Sequence, residues 1–217
     1  MLSPLPKARQ IFGPDVLPLL IPPLLAFIPP FTEPSSTSAF ANDSPLRVSL
    51  LQTDFDILEE SCMLIESLSL DIEDVRLSLA RGLNFPAEHS GVPCLCAMLD
   101  FIEKGDYHPL WHADSEDAER KRRERLFDVC KAAIIKVVVE VAGEEKNEEV
   151  LWDDSEEGKP GGEFVYRMVA WIKNYVAGKT DGTEQANADS TTGSRDDLVI
   201  CASLSLGNLA RRGEPPF

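Results

Sequence analysis

From Asp54 onward the apolar positions Phe55, Leu58, Cys62, Ile65 and Leu68 recur every three or four residues, which places them on one stripe of a helix. Most of the intervening acids fall off that stripe. A second, short helix is predicted over 72–80 and stops at Gly82. Pro93 then stands where a helix can begin, and Leu95, Met98, Leu99 and Ile102 carry the period to Gly105. The run from Ile134 to Val139 is β-branched enough for a strand. Leu126, Val129, Cys130 and Ala133 keep helical spacing before it, and the apolar stretch outlasts most strands, so 126–141 is predicted to be a buried helix. Phe164, Met168, Trp171, Ile172 and Tyr175 mark a further helix ending near Gly178, and a last one runs from an N-cap at Asp196 to Arg211.

Between these segments the chain turns polar. The predicted organisation is a hydrophobic helical segment over 1–28, a Pro/Ser-rich linker over 29–53 and a helical body over 54–212. Polar insertions interrupt the body at 106–125, 143–162 and 179–195, and a short tail occupies 213–217. With 217 residues and 43% hydrophobic content, the chain can bury a sizeable core. Every predicted element of the body is helical, so the expected class is all-α.

The amino terminus reads two ways. Lys7 and Arg9 precede the apolar run 16–28, Ala39-Phe40-Ala41 resembles a signal-peptidase site, and Asn42-Asp43-Ser44 is a glycosylation sequon, which together describe a secretory leader. Pro18, Pro22 and Pro23 interrupt such a leader, and the run is too short to span a bilayer. A short helix beginning near Pro14-Asp15 and packed on the body fits better. Five cysteines, an odd number spread through apolar segments, point to reduced thiols and a cytoplasmic protein.

Charge narrows the partners. The formal net charge is −16, and two stretches account for all of it: 54–74 holds eight acids and no base, and 140–163 holds ten acids against Lys146 and Lys159. Such a chain repels phosphate, which excludes general nucleic-acid binding, and any charged partner should be basic. The basic run Arg120-Lys121-Arg122-Arg123-Glu124-Arg125 follows acids one helical turn earlier, which predicts a self-neutralised solvated helix. Trp111 and Trp152 lie in polar inserts, where each is expected to pin its loop to the body.

Motifs for chemistry are weak. Cys94-x-Cys96 with His89, His108 and His112 supplies zinc-ligand residue types, but the cysteine spacing is too short and both cysteines sit in a helical apolar pattern. Gly178-Lys179-Thr180 lacks the earlier glycine and preceding strand of a phosphate loop. Neither a hydrolase elbow nor a cysteine–histidine nucleophile pair is present, so no enzyme, metal or cofactor is expected.

Three predicted helices echo one another on their cysteines, Cys62, Cys130 and Cys201, which lie 68 and 71 residues apart. Allowing for the insertions, the unit approaches an armadillo or HEAT repeat in length. The last helix, 197–211 (Asp-Leu-Val-Ile-Cys-Ala-Ser-Leu-Ser-Leu-Gly-Asn-Leu-Ala-Arg), looks like the third helix of an armadillo repeat. With the acidic insert and the 126–141 helix, it resembles the armadillo proteins of the small-GTPase GDP-dissociation stimulator (Smg GDS) type, especially fungal-looking relatives, over 54–212. The resemblance implies a right-handed superhelical solenoid that binds Ras- and Rho-type small GTPases with basic, often prenylated tails, as exchange stimulator or chaperone, without inserting into a membrane. It implies a partner-clamping asparagine only at Asn208, with Ser205 on the same helix. Val137 and Ser69 stand at the matching positions of the other two helices, so there is no asparagine ladder. The acids Asp54, Asp56, Glu59, Glu60, Glu144, Glu145, Glu148 and Glu149 are the expected contacts for a basic tail. The alternative is a general armadillo scaffold without GTPase specificity. Because a solenoid needs a polar capping helix and none follows Arg212, the repeats are expected to be incomplete at the C-terminus.

Overall fold

The computed structural model describes residues 6–25, 27, 45–82, 94–105, 117–152, 163–180 and 191–211. Among them are eight helices and no strand: α1 (Pro6–Leu25), α2 (Pro45–Asp71), α3 (Glu73–Arg81), α4 (Cys94–Lys104), α5 (Asp117–Gly143), α6 (Glu148–Trp152), α7 (Phe164–Thr180) and α8 (Thr191–Ala210), with a 3-10 turn at Glu145–Asn147 between α5 and α6. The protein is all-α. The β-branched run of 134–139 is helical because its side chains fill the core; Ile134, Val137 and Val138 are completely buried.

Several boundaries move outward from the sequence reading. Pro45 opens α2, so 45–53 belongs to a helix and only 29–44 of the predicted linker lies outside the described residues. Proline suits a first helical turn, where its missing N–H has no partner to lose. α5 begins at Asp117, inside the predicted 106–125 insertion, and its charged turns are laced by Arg123 to Glu119 at 2.7 Å and Arg120 to Glu124 at 3.8 Å. The 143–162 insertion holds the 3-10 turn and α6, anchored by the buried Asn147 and Leu151. α7 runs to Thr180 and α8 starts at Thr191, which narrows the third insertion. The rest of the insertions, the tail, His89, His108, His112 and Trp111 lie outside the described residues.

α1 departs furthest from expectation. It starts at Pro6 rather than near Pro14 and continues through four internal prolines, each costing about 3 kcal/mol in a helix interior. Burial offsets this: Leu17, Ile21, Leu24 and Phe27 are inaccessible to solvent, and the Phe27 ring lies 5.4 Å from that of Phe55 on α2.

α2 stops where Ile72 turns extended (φ −126°, ψ 112°), and α3 closes at Gly82, whose φ of 88° is a conformation few other residues adopt. Helices three apart in the chain then take equivalent places. α1 packs on α2, α4 on α5 and α7 on α8; α2 packs on α5 and α5 on α8; α1 packs on α4, and α3 on the 3-10 turn and α6. The interhelical bonds advance together along both partners: Glu66 meets Lys136, Arg76 meets Glu144, Asp197 meets Lys131 and Asn208 meets Val139. α2, α5 and α8 therefore run parallel, in the register of their cysteines.

Candidate functional site

α5 sits between α2 and α8 with α4 behind it. Its fourth side, Arg125, Val129, Ala132 and Lys136 at helical spacing, is exposed. On its left α2 presents Asp56, Glu60, Met63 and Leu70, and on its right α8 presents Asp196, Ile200, Leu204, Gly207 and Arg211, all exposed. Helical geometry turns these toward the same side: Met63 and Leu70 lie about a quarter turn from Cys62 and Glu66, which face α5, and Ile200 and Leu204 lie on the corresponding flank of α8. Met63, Leu70, Val129, Ile200 and Leu204 keep 44–52% of their surface open to solvent, while Ala132 and Gly207 keep the floor low. A clustered set of large exposed apolar side chains rimmed by charge marks a protein-interaction surface more often than a solvated one.

The interfaces that hold this face flat are dry and tied. Cys62 and Cys130 meet thiol to thiol between α2 and α5; the hydrogen bond to Cys130, with burial behind it, pushes the Cys62 thiol far above its ordinary range. Burial pushes Cys201 up to about 12, opposed by the Ser205 hydroxyl and the Lys131 charge. At the α5–α8 junction the buried Lys131 ammonium lies 3.6 Å from Asp197. Next to it, Asp128 is raised by burial above the usual carboxylate range, with Lys131 opposing and Asp197 and Glu124 adding to the shift.

The predicted partner-binding residues divide. Asp54, Asp56 and Glu60 are exposed on the first described turns of α2, and Asp56 and Glu60 belong to the open face. Glu59 is half-buried toward Cys62. Glu144 does not face a partner: its carboxylate accepts from Arg76 Nε at 2.9 Å, and Arg76 Nη1 donates to the Ser69 carbonyl at 2.6 Å and the Leu70 carbonyl at 3.3 Å, capping α2. Glu145 and Glu149 are exposed and Glu148 half-buried around the 3-10 turn, where Lys146 also pairs with Glu73. Ser205 is fully buried inside the bundle, which leaves it out of reach of a partner. The Asn208 amide donates to the Val139 carbonyl at 3.1 Å, so the side chain expected to clamp a partner ties α8 to α5 instead.

The two acidic stretches do not share one patch. The Arg123 guanidinium lies 5.3 Å from the centre of the Phe55 ring, which places the basic start of α5 beside the acidic first half of 54–74. Glu144 to Glu149 follow Gly143 at the other end of α5, about 30 Å away along the helix axis. Sequence reasoning missed the apolar stripe between these ends. Its signal was present: Met63, Val129 and Leu204 interrupt otherwise polar helix faces. It also missed Arg167, whose guanidinium bridges α7 to Asp100 and Glu103 of α4 and lies over the Trp171 ring. Burial works against the Arg167 charge, but those carboxylates outweigh it and raise its pKa.

Among the described residues no group of histidine, cysteine and acidic side chains could hold a metal ion, and no helix is long and apolar enough to cross a membrane. Comparison with family models, curated proteins and solved structures finds no match for this chain.

Proposed function

We propose that this chain is an armadillo-like protein-interaction module that binds a small GTPase of the Ras or Rho type, seating it on the open face of α2, α5 and α8. The observation that carries the reading is the parallel stacking of those three helices around a continuous apolar strip, Met63, Val129, Ala132, Ile200 and Leu204. Stacked equivalent helices give a solenoid its binding surface, because each repeat contributes one row of side chains to it. The right-handed superhelix expected for such repeats belongs to the same proposal. Asp56, Glu60 and Asp196 at one end of the strip supply negative charge for a basic tail, which speeds encounter more than it adds affinity. Exchange stimulation on such a surface would require no catalytic side chain, because binding energy favours the nucleotide-free form of the partner.

A second reading, a scaffold for proteins other than GTPases, is favoured by one specific observation: the acids lie at both ends of α5 rather than in one groove. Biolayer interferometry against Ras- and Rho-type GTPases, each with and without its basic tail and at low and high salt, separates the two. The GTPase reading expects binding that weakens at least tenfold on tail removal and falls steeply with salt. Absence of binding to every GTPase tested would leave the scaffold reading.

A further inference from the structure

α1 breaks the local rules of its own secondary structure more than any other described helix. Pro14, Pro18, Pro22 and Pro23 lack the N–H groups that would reach back one turn, so the carbonyls of Gln10, Pro14, Pro18 and Leu19 receive no bond from within the helix. A helix of this length with so many missing bonds does not persist in water by itself. It is nevertheless well seated. Leu17, Ile21 and Leu24, at four- and three-residue spacing, are fully buried against α2, α3 and α4. Gly13 continues that stripe, and it lies so close to α3 that a Cβ there would come 2.8 Å from Ile72 Cδ1 and 3.1 Å from Val75 Cγ2.

The groove thus has a defined specificity: an apolar helix with a small residue at the Gly13 level and larger aliphatic residues four, eight and eleven positions later. Its present occupant meets that specificity with its side chains and not with its backbone. Elements held by packing without internal hydrogen bonds open at lower free energy than the body they pack on. A helix that is already well formed in solution would not carry the ordering penalty that α1 carries.

We propose that the α2–α3–α4 groove is a helix-binding site, occupied reversibly by α1, and that it accepts in trans an amphipathic apolar helix from a protein partner. The open face of α2, α5 and α8 is a different surface, so this inference stands apart from the GTPase reading.

The test uses the full chain and a fluorescein-labelled peptide of residues 6–27 in which the four prolines are replaced by alanine. Fluorescence anisotropy is expected to show saturable binding, absent for a scrambled peptide. Binding should be at least tenfold tighter to a Gly13→Val chain, whose own helix is pushed off Ile72, and at least tenfold weaker to a chain whose four prolines are changed to alanine in place. Hydrogen–deuterium exchange of the unmodified chain should show α1 amides exchanging at least a hundredfold faster than those of α2 and α5. Should Gly13→Val fail to fold, the unmodified and proline-free chains together with the exchange data decide the question. Exchange in α1 as slow as in α2, or peptide binding unaffected by the proline replacements, would overturn the proposal.

Discussion

Arg76 joins three elements through one side chain: it caps the last carbonyls of α2 from α3 and pairs with Glu144 beyond α5. Replacing it with alanine leaves the Ser69 carbonyl and a largely buried carboxylate unpaired, so Arg76→Ala should destabilise the fold by about 2–4 kcal/mol. Urea denaturation checks this, and Arg76→Lys should recover little because one ammonium cannot span the same forked set of acceptors. Asp128 predicts the opposite sign. Its pKa is raised in the fold by burial, and an ionised carboxylate with a higher folded than unfolded pKa costs stability above that folded value. The cost disappears as pH falls through the folded pKa. Asp128→Asn should therefore raise the melting temperature at neutral pH, by a few degrees at most because the group is partly solvated, and the gain should vanish near about pH 4. Scanning calorimetry of both chains across that range would show a constant difference if burial of Asp128 were irrelevant. These residue-level roles were hidden in the sequence. Glu144 and Asn208 have the composition of exposed partner contacts, and only the long-range pairing with Arg76 and Val139 turns them inward.

Helices, by contrast, were legible wherever apolar residues recur at helical spacing. Phe55, Leu58, Cys62, Ile65 and Leu68 are buried on α2 as a single stripe, and the cysteine echo of α2, α5 and α8 reports a real register, with Cys62 against Cys130. Legibility failed at the ends. Local signals there are charged or proline-rich, and tertiary packing decides: the first turns of α5 are held by their own ion pairs, and α1 is helical through burial despite its prolines. The same logic predicts how α8 is attached. Its polar tie to the middle helix is the Asn208 bond to Val139 next to Gly143, so Asn208→Ala should cost about 1 kcal/mol. Amide exchange should quicken in α8 while α2 stays unchanged; uniform acceleration across both would show that the bond is not local to this junction.

On the scale of the whole molecule, the excess negative charge is largely absorbed by geometry. Lys136 takes up Glu66, Arg76 takes up Glu144, Lys146 takes up Glu73, and the basic start of α5 lies beside the acidic start of α2. What remains distinctive is an apolar strip across three parallel helices with acids at one end, and the proposed function rests on that strip rather than on net charge. The most direct test is the affinity of the chain carrying Val129→Asp together with Leu204→Asp for a tailed small GTPase, measured alongside its urea unfolding midpoint. Both positions are exposed, so the fold should be retained. The account predicts at least a tenfold loss of affinity at an unchanged midpoint. An unchanged affinity at an unchanged midpoint would contradict it.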